Sequence, residues 1–190
     1  MHRFWKVALL ALAAALALPT AALADPGKGQ GRGPGPDAGW KLTTYDEEGR
    51  ALEVRSGNGP APARGEISAM SLSGCNSVDA WRNGYSALGT LVWRFHQVKH
   101  WCWSYPRITS VSVGHYVSHL AFTHHFAGIV GQHDFFYSVF PNDGGRGGHD
   151  SMRQGRIDNC PLKFGCIGSE YPLVRIWVNG DGWWWYYTTA

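Results

Sequence analysis

The chain has 190 residues, with 17 basic and 14 acidic side chains for a formal charge of +3, and it is rich in ten Trp, eight Tyr and eight Phe. Its charges are sparse and of mixed sign, not gathered into a basic patch or stripe, which excludes the usual footprint of a nucleic-acid-binding protein. Aromatic side chains, which fill cores and populate binding surfaces, are the dominant resource instead.

Residues 1–24 have the layout of a cleavable secretory signal. Arg3 and Lys6 precede an apolar run from Val7 to Leu18, followed by Pro19 and a small-residue Ala22-Leu23-Ala24 before Asp25. The run is shorter than the roughly 20 apolar residues of a membrane span. No second run follows it, so no stable membrane anchor is expected and the expected location is extracellular. Cleavage after Ala24 would remove two cations and leave 15 basic against 14 acidic side chains. The apparent basicity therefore belongs largely to the export segment.

Residues 25–39 (DPGKGQGRGPGPDAG) alternate Gly and Pro with polar residues and are expected to form a flexible, disordered linker. A short hairpin is predicted over 40–56, with Leu42 and Tyr45 on one arm, Leu52 and Val54 on the other, and Glu48-Gly49 at the turn. A second Gly/Pro linker over 57–65 then separates it from a main domain at 66–190, which is long enough for one core. Within that domain, runs of β-branched and aromatic residues are bounded by Gly, Pro and Asn at short intervals. They predict strands near 88–103, 107–120, 121–130, 134–140, 151–159, 172–178 and 183–189. This spacing implies an all-β fold, an antiparallel β-sandwich or, alternatively, a small closed β-barrel.

The last two strands flank Asn179-Gly180-Asp181-Gly182. A two- or four-residue loop there pairs Val178 with Trp183, Trp177 with Trp184 and Ile176 with Trp185. On that parity Val174, Ile176, Val178, Trp183, Trp185 and Tyr187 face the core. Arg175, Trp177, Trp184 and Tyr186 face solvent as the candidate ligand-binding residues, their rings suited to stacking and the Arg to a cation–π or anion contact. The same parity implies that Trp184→Ala leaves stability almost unchanged.

Four cysteines, Cys75, Cys102, Cys160 and Cys166, imply two disulfides in an exported protein. Three pairings are open, of which Cys75 with Cys102 and Cys160 with Cys166 is favoured. No Cys-x-x-Cys pair points to metal or redox chemistry. The five histidines His115, His119, His124, His125 and His133 lie close in sequence, and His115 and His119 have a helical zinc spacing. They sit in an alternating strand pattern, however, which sets residues four apart about 13 Å from each other. Neither a metal nor another cofactor is expected.

Other matches are weak. Gly144-Gly145-Arg146-Gly147-Gly148-His149 approaches a calcium-binding repeat but occurs once and ends in His, so it reads as a mobile loop. Gly84–Gly89 is one residue too long for a nucleophile elbow. Tyr45–Arg50 is a lone copy of a toxin-like repeat. A hydrolytic site would need His149-Asp150 or His133-Asp134, but neighbours on a strand point to opposite faces and cannot hydrogen-bond each other.

The segments Trp93–Trp103 (WRFHQVKHWCW), Gln154–Cys160 (QGRIDNC), Gly165-Cys166, Tyr171-Pro172 and Asn179–Gly182 together resemble small secreted bacterial proteins whose activity is uncharacterised. The resemblance covers residues 75–190. It implies a secreted, disulfide-bearing β domain and carries no catalytic residues. The expected function is an extracellular interaction module for a cell-surface ligand such as glycan. A secreted hydrolase using His and Asp, or an antibacterial protein acting on other cells, are the alternatives.

Overall fold

The computed structural model describes residues 37–46, 48–61, 72–161 and 165–190. The predicted signal segment, most of the first linker and much of the second lie outside them. Ten strands run in order: β1 (Ala38–Tyr45), β2 (Ala51–Asn58), β3 (Ser73–Tyr85), β4 (Leu91–Ser104), β5 (Arg107–Ser118), β6 (His124–Tyr137), β7 (Gly148–Asn159), β8 (Gly168–Glu170), β9 (Leu173–Asn179) and β10 (Trp184–Thr189). They form two five-stranded antiparallel sheets. The first has the order β2-β1-β3-β4-β5, and the second has the order β10-β9-β7-β6 with β8 on β7. The architecture is the expected β-sandwich, and neither sheet closes into a barrel.

Strict alternation along β4 shows why these residues fold this way. Trp93, Phe95, Gln97, Lys99, Trp101 and Trp103 all point inward and are buried. Against them, the second sheet presents Ile157, Val174, Ile176, Val178, Trp184 and Tyr186. Period-two patterning thus puts one face of each sheet into the shared core and leaves the other face outside.

Three differences from the sequence reading have physical causes. The hairpin expected over 40–56 forms, but it is part of the first sheet, because β1 pairs with β3 from Ala38↔Arg82 to Tyr45↔Cys75. The sandwich therefore includes this hairpin and does not begin near Glu66, and Gly57 and Asn58 of the expected linker belong to β2. The hairpin is also clasped to the second sheet, since the Tyr186 hydroxyl donates to the Gly59 carbonyl and Trp40 packs edge-on against Trp184 at 5.4 Å.

Second, β3 carries no apolar run. Its inward residues include Asn76, Val78 and Ala80, small or polar groups that fit the middle of a sheet but give little sequence signal. Third, β6 is one strand where two were expected. Gly128 and Gly131 sit at register shifts that are bulges and not turns, Gly128 with a φ of 118° that suits only glycine.

Both favoured disulfides are present, Cys75–Cys102 and Cys160–Cys166. The first joins directly opposed residues of β3 and β4 on the outer face of the first sheet. The second ties the end of β7 to the approach to β8. By loop-closure entropy they contribute roughly 3.6 and 2.4 kcal/mol respectively. The glycine-rich loop before β7 is organised by Asp143, contrary to its reading as mobile. This buried carboxylate accepts from the amides of Val139, Phe140 and Gly145 and from the Ser138 hydroxyl. Those donors hold the carboxyl's pKa well below the usual carboxylate range.

Candidate functional site

The β9–β10 connection decides which aromatic rings reach the surface. Asn179 N–H donates to the Trp183 carbonyl at 2.8 Å, so these two residues close a loop of three, Gly180–Gly182. Gly182 takes a left-handed φ of 84°, the position that a three-residue hairpin loop reserves for glycine. Gly180 is pressed against the Pro106 carbonyl, where no side chain fits. An odd loop shifts the register by one residue relative to the two- or four-residue loops expected, and Trp184 faces Val178, Trp185 faces Trp177 and Tyr186 faces Ile176. Trp184 and Tyr186 are therefore fully buried core residues. Arg175 and Trp177 keep their expected outer face, and Trp185 and Tyr187 join them there.

Register across the second sheet builds two rows on that face. One is Trp185, Trp177, Asp150 and Phe135; the next is Tyr187, Arg175, Met152 and His133. Asp150 lies diagonally between Arg175 and His133. Arg175 Nε donates to Oδ1 at 3.0 Å and to Oδ2 at 3.1 Å, and its Nη2 donates to Oδ2 as well. His133 Nε2 lies 3.3 Å from Oδ1 and must be the donor, because a carboxylate only accepts. The Asp150 side chain is 2% exposed while Arg175 and His133 are 35% and 32% exposed. The carboxylate is thus sealed beneath two groups that still meet solvent, as a buried charge requires.

Aromatic rings surround this cluster. The Arg175 guanidinium lies 4.3 Å from the Trp177 ring centre, a cation–π contact. Trp177 and Trp185 pack at 4.7 Å, and Phe135 packs against His133 at 5.4 Å. Tyr137 donates to Asn179 Oδ1 at 3.2 Å, and burial, reinforced by Asp150, pushes its hydroxyl up to about 12. Its ring lies across Gly148, where any Cβ would collide with it. The face thus combines half-exposed indoles with a fixed polar cluster able to direct hydrogen bonds outward.

Sequence adjacency offers His149-Asp150 and His133-Asp134. The structure pairs one member of each, His133 with Asp150, because β6 and β7 place them on one face. Asp134 is on the other face with Arg153, at 2.6 Å. His149 turns into the core, where burial first, and then Lys99, lowers its basicity to about 4. His115 packs near Phe126, and His119 occupies the turn after β5 with a φ of 56°. Among the described residues, the one set of groups with metal-ligand spacing is Cys75, His100 and Cys102. Both of its sulfurs are bonded to each other.

Asp150→Asn is expected to lower the unfolding free energy by roughly 2–3 kcal/mol, because it weakens the four charge-assisted hydrogen bonds that Arg175 and His133 make to a buried carboxylate. Urea unfolding followed by circular dichroism measures it. In comparisons with protein-family models, curated proteins and solved structures, nothing matches this chain.

Proposed function

We propose that this protein is an extracellular binding module whose second-sheet outer face takes a hydroxylated polysaccharide of a cell surface or wall. The observation that carries this reading is the row Trp185, Trp177 and Asp150 beside Arg175 and His133. Indole faces stack on the apolar faces of sugar rings, and the fixed Asp–Arg–His cluster orients hydroxyl groups. The N-terminal signal pattern and the two disulfides support an oxidising, extracellular setting.

Pull-down with insoluble cellulose, chitin and cell-wall polysaccharide tests the proposal. The double variant Trp177→Ala/Trp185→Ala is expected to lose at least about tenfold in affinity for the bound polysaccharide, equivalent to about 1.4 kcal/mol. Absence of binding to all three, or binding untouched by the double substitution, would sink the reading.

A further inference from the structure

The outer face of the first sheet holds a second polar constellation, on three adjacent strands. His96 of β4 has its Nδ1 2.8 Å from Asp79 Oδ1 on β3 and its Nε2 2.8 Å from Ser118 Oγ at the end of β5. The ionised Asp79 only accepts, so it fixes the proton on Nδ1 and leaves Nε2 to accept from the serine hydroxyl. The second Asp79 oxygen accepts from the Tyr116 hydroxyl at 2.6 Å. Tyr116 stacks on the imidazole at 4.0 Å and Trp81 packs on it at 5.7 Å, so the ring is locked in the orientation that serves both partners. None of these three residues is close to another in the chain, and the register of β3, β4 and β5 alone assembles them.

We propose that Ser118, His96 and Asp79 form a nucleophile, a general base and an orienting carboxylate that hydrolyse carboxylic esters. This goes beyond the polysaccharide-binding reading and rests on the other sheet. The relay is the geometry by which acyl-transfer sites are identified irrespective of chain order. Ser118 is half-exposed at the strand end, whereas His96 is buried behind it. The β4–β5 ladder ends at the pair Arg94↔Ser118. The amides of His119 and Leu120 therefore follow the serine beyond the ladder, the position from which the residue after a nucleophile stabilises an oxyanion. Arg94, opposite Ser118, supplies a positive charge to the same end of the sheet.

In the reaction, Ser118 Oγ bonds to the acyl carbon as its proton passes to His96 Nε2. The bond from that carbon to the alcohol oxygen breaks, and the leaving alcohol takes the proton from Nε2. Water then adds to the acyl-serine, giving one proton to Nε2. The carbon–Oγ bond breaks, the proton returns to Ser118, and the carboxylic acid departs. Asp79 stabilises the imidazolium each time it forms and is a positioning residue.

Incubation of the full-length protein with a biotinylated fluorophosphonate, beside a known serine esterase as control, tests the inference. One label per molecule is expected, on Ser118, with loss of fluoride. Ser118→Ala should abolish it, and His96→Gln should slow it by at least about 100-fold. Asp79→Asn should slow it too, and the unmodified protein should hydrolyse p-nitrophenyl acetate. Melting curves of each variant separate lost reactivity from lost fold. A relay that is only structural would lower melting temperatures on substitution yet leave the native protein unlabelled. No label on the native protein, label at another residue, labelling unchanged in Ser118→Ala, or no turnover of the ester would each overturn the proposal.

Discussion

Trp184→Ala is expected to lower the unfolding free energy by about 3–5 kcal/mol, whereas Trp185→Ala, one residue away, is expected to cost roughly 1 kcal/mol. Trp184 is fully buried between the sheets. Its indole meets Trp40 edge-on at 5.4 Å and lies near Tyr186 at 6.1 Å. Truncation to Ala leaves a cavity that neighbours on two different sheets cannot close together. Trp185 loses mainly its contact with Trp177 and returns the rest of its surface to water. Guanidinium unfolding of the two variants measures the difference. A larger loss at Trp185 than at Trp184 would place the hairpin in the register of an even-numbered loop.

Lys99 is expected to make the protein more stable as pH rises from about 7 to 10.5. Its side chain is fully buried in the sandwich, with Nζ 2.9 Å from the carbonyls of both His149 and Ile176. A neutral amine has two N–H donors, and both are used here. Burial lowers its basicity from 10.5 to about 7; Asp150 and Asp134 oppose that shift and Arg153 adds to it. Between about pH 7 and 10.5 the unfolded chain binds a proton at Lys99 that the folded chain does not. Stability therefore climbs with pH across this window, by up to about 1.4 kcal/mol per pH unit.

His149 acts in the same direction lower down. It is neutral in the fold down to about pH 4 and ionises near 6.5 when unfolded, so stability falls as pH drops through that interval. Lys99→Met should remove the alkaline slope and keep the acid one. Chemical unfolding at pH 4.5, 6, 8 and 9.5 measures this, and an alkaline slope that persists in Lys99→Met would show that Lys99 is already charged within the fold.

Part of this architecture is legible in the chain. Alternation along Trp93–Trp103 marks β4 as a strand and also places Lys99 inward. Alternation alone cannot say that a lysine belongs in a core. Only the opposed sheet, with two carbonyls converging on the amine, makes that position tolerable. β3 carries no apolar signature in the sequence because its inward side chains are small or polar, and their place between β1 and β4 supplies what hydrophobic content does not. Of the four residues proposed for the surface face, Arg175 and Trp177 remain there and Trp184 and Tyr186 do not. The error is one residue of loop length, which on a strand exchanges every side chain between faces.

Sequence patterning establishes the all-β class, narrows the architecture to a sandwich or a small barrel, and favours the pairs Cys75–Cys102 and Cys160–Cys166 among three possible pairings. These follow from local quantities: strand period, turn residues and cysteine number. Tertiary structure alone decided that His133 meets Asp150 beneath Arg175, and that Asp79, His96 and Ser118 form one chain of hydrogen bonds. Both groupings join hydrogen-bonded residues 17 to 25 positions apart through strand register. Register is set by the sum of loop lengths, bulges and ladder pairs along the whole sheet, and no local window of sequence contains that sum.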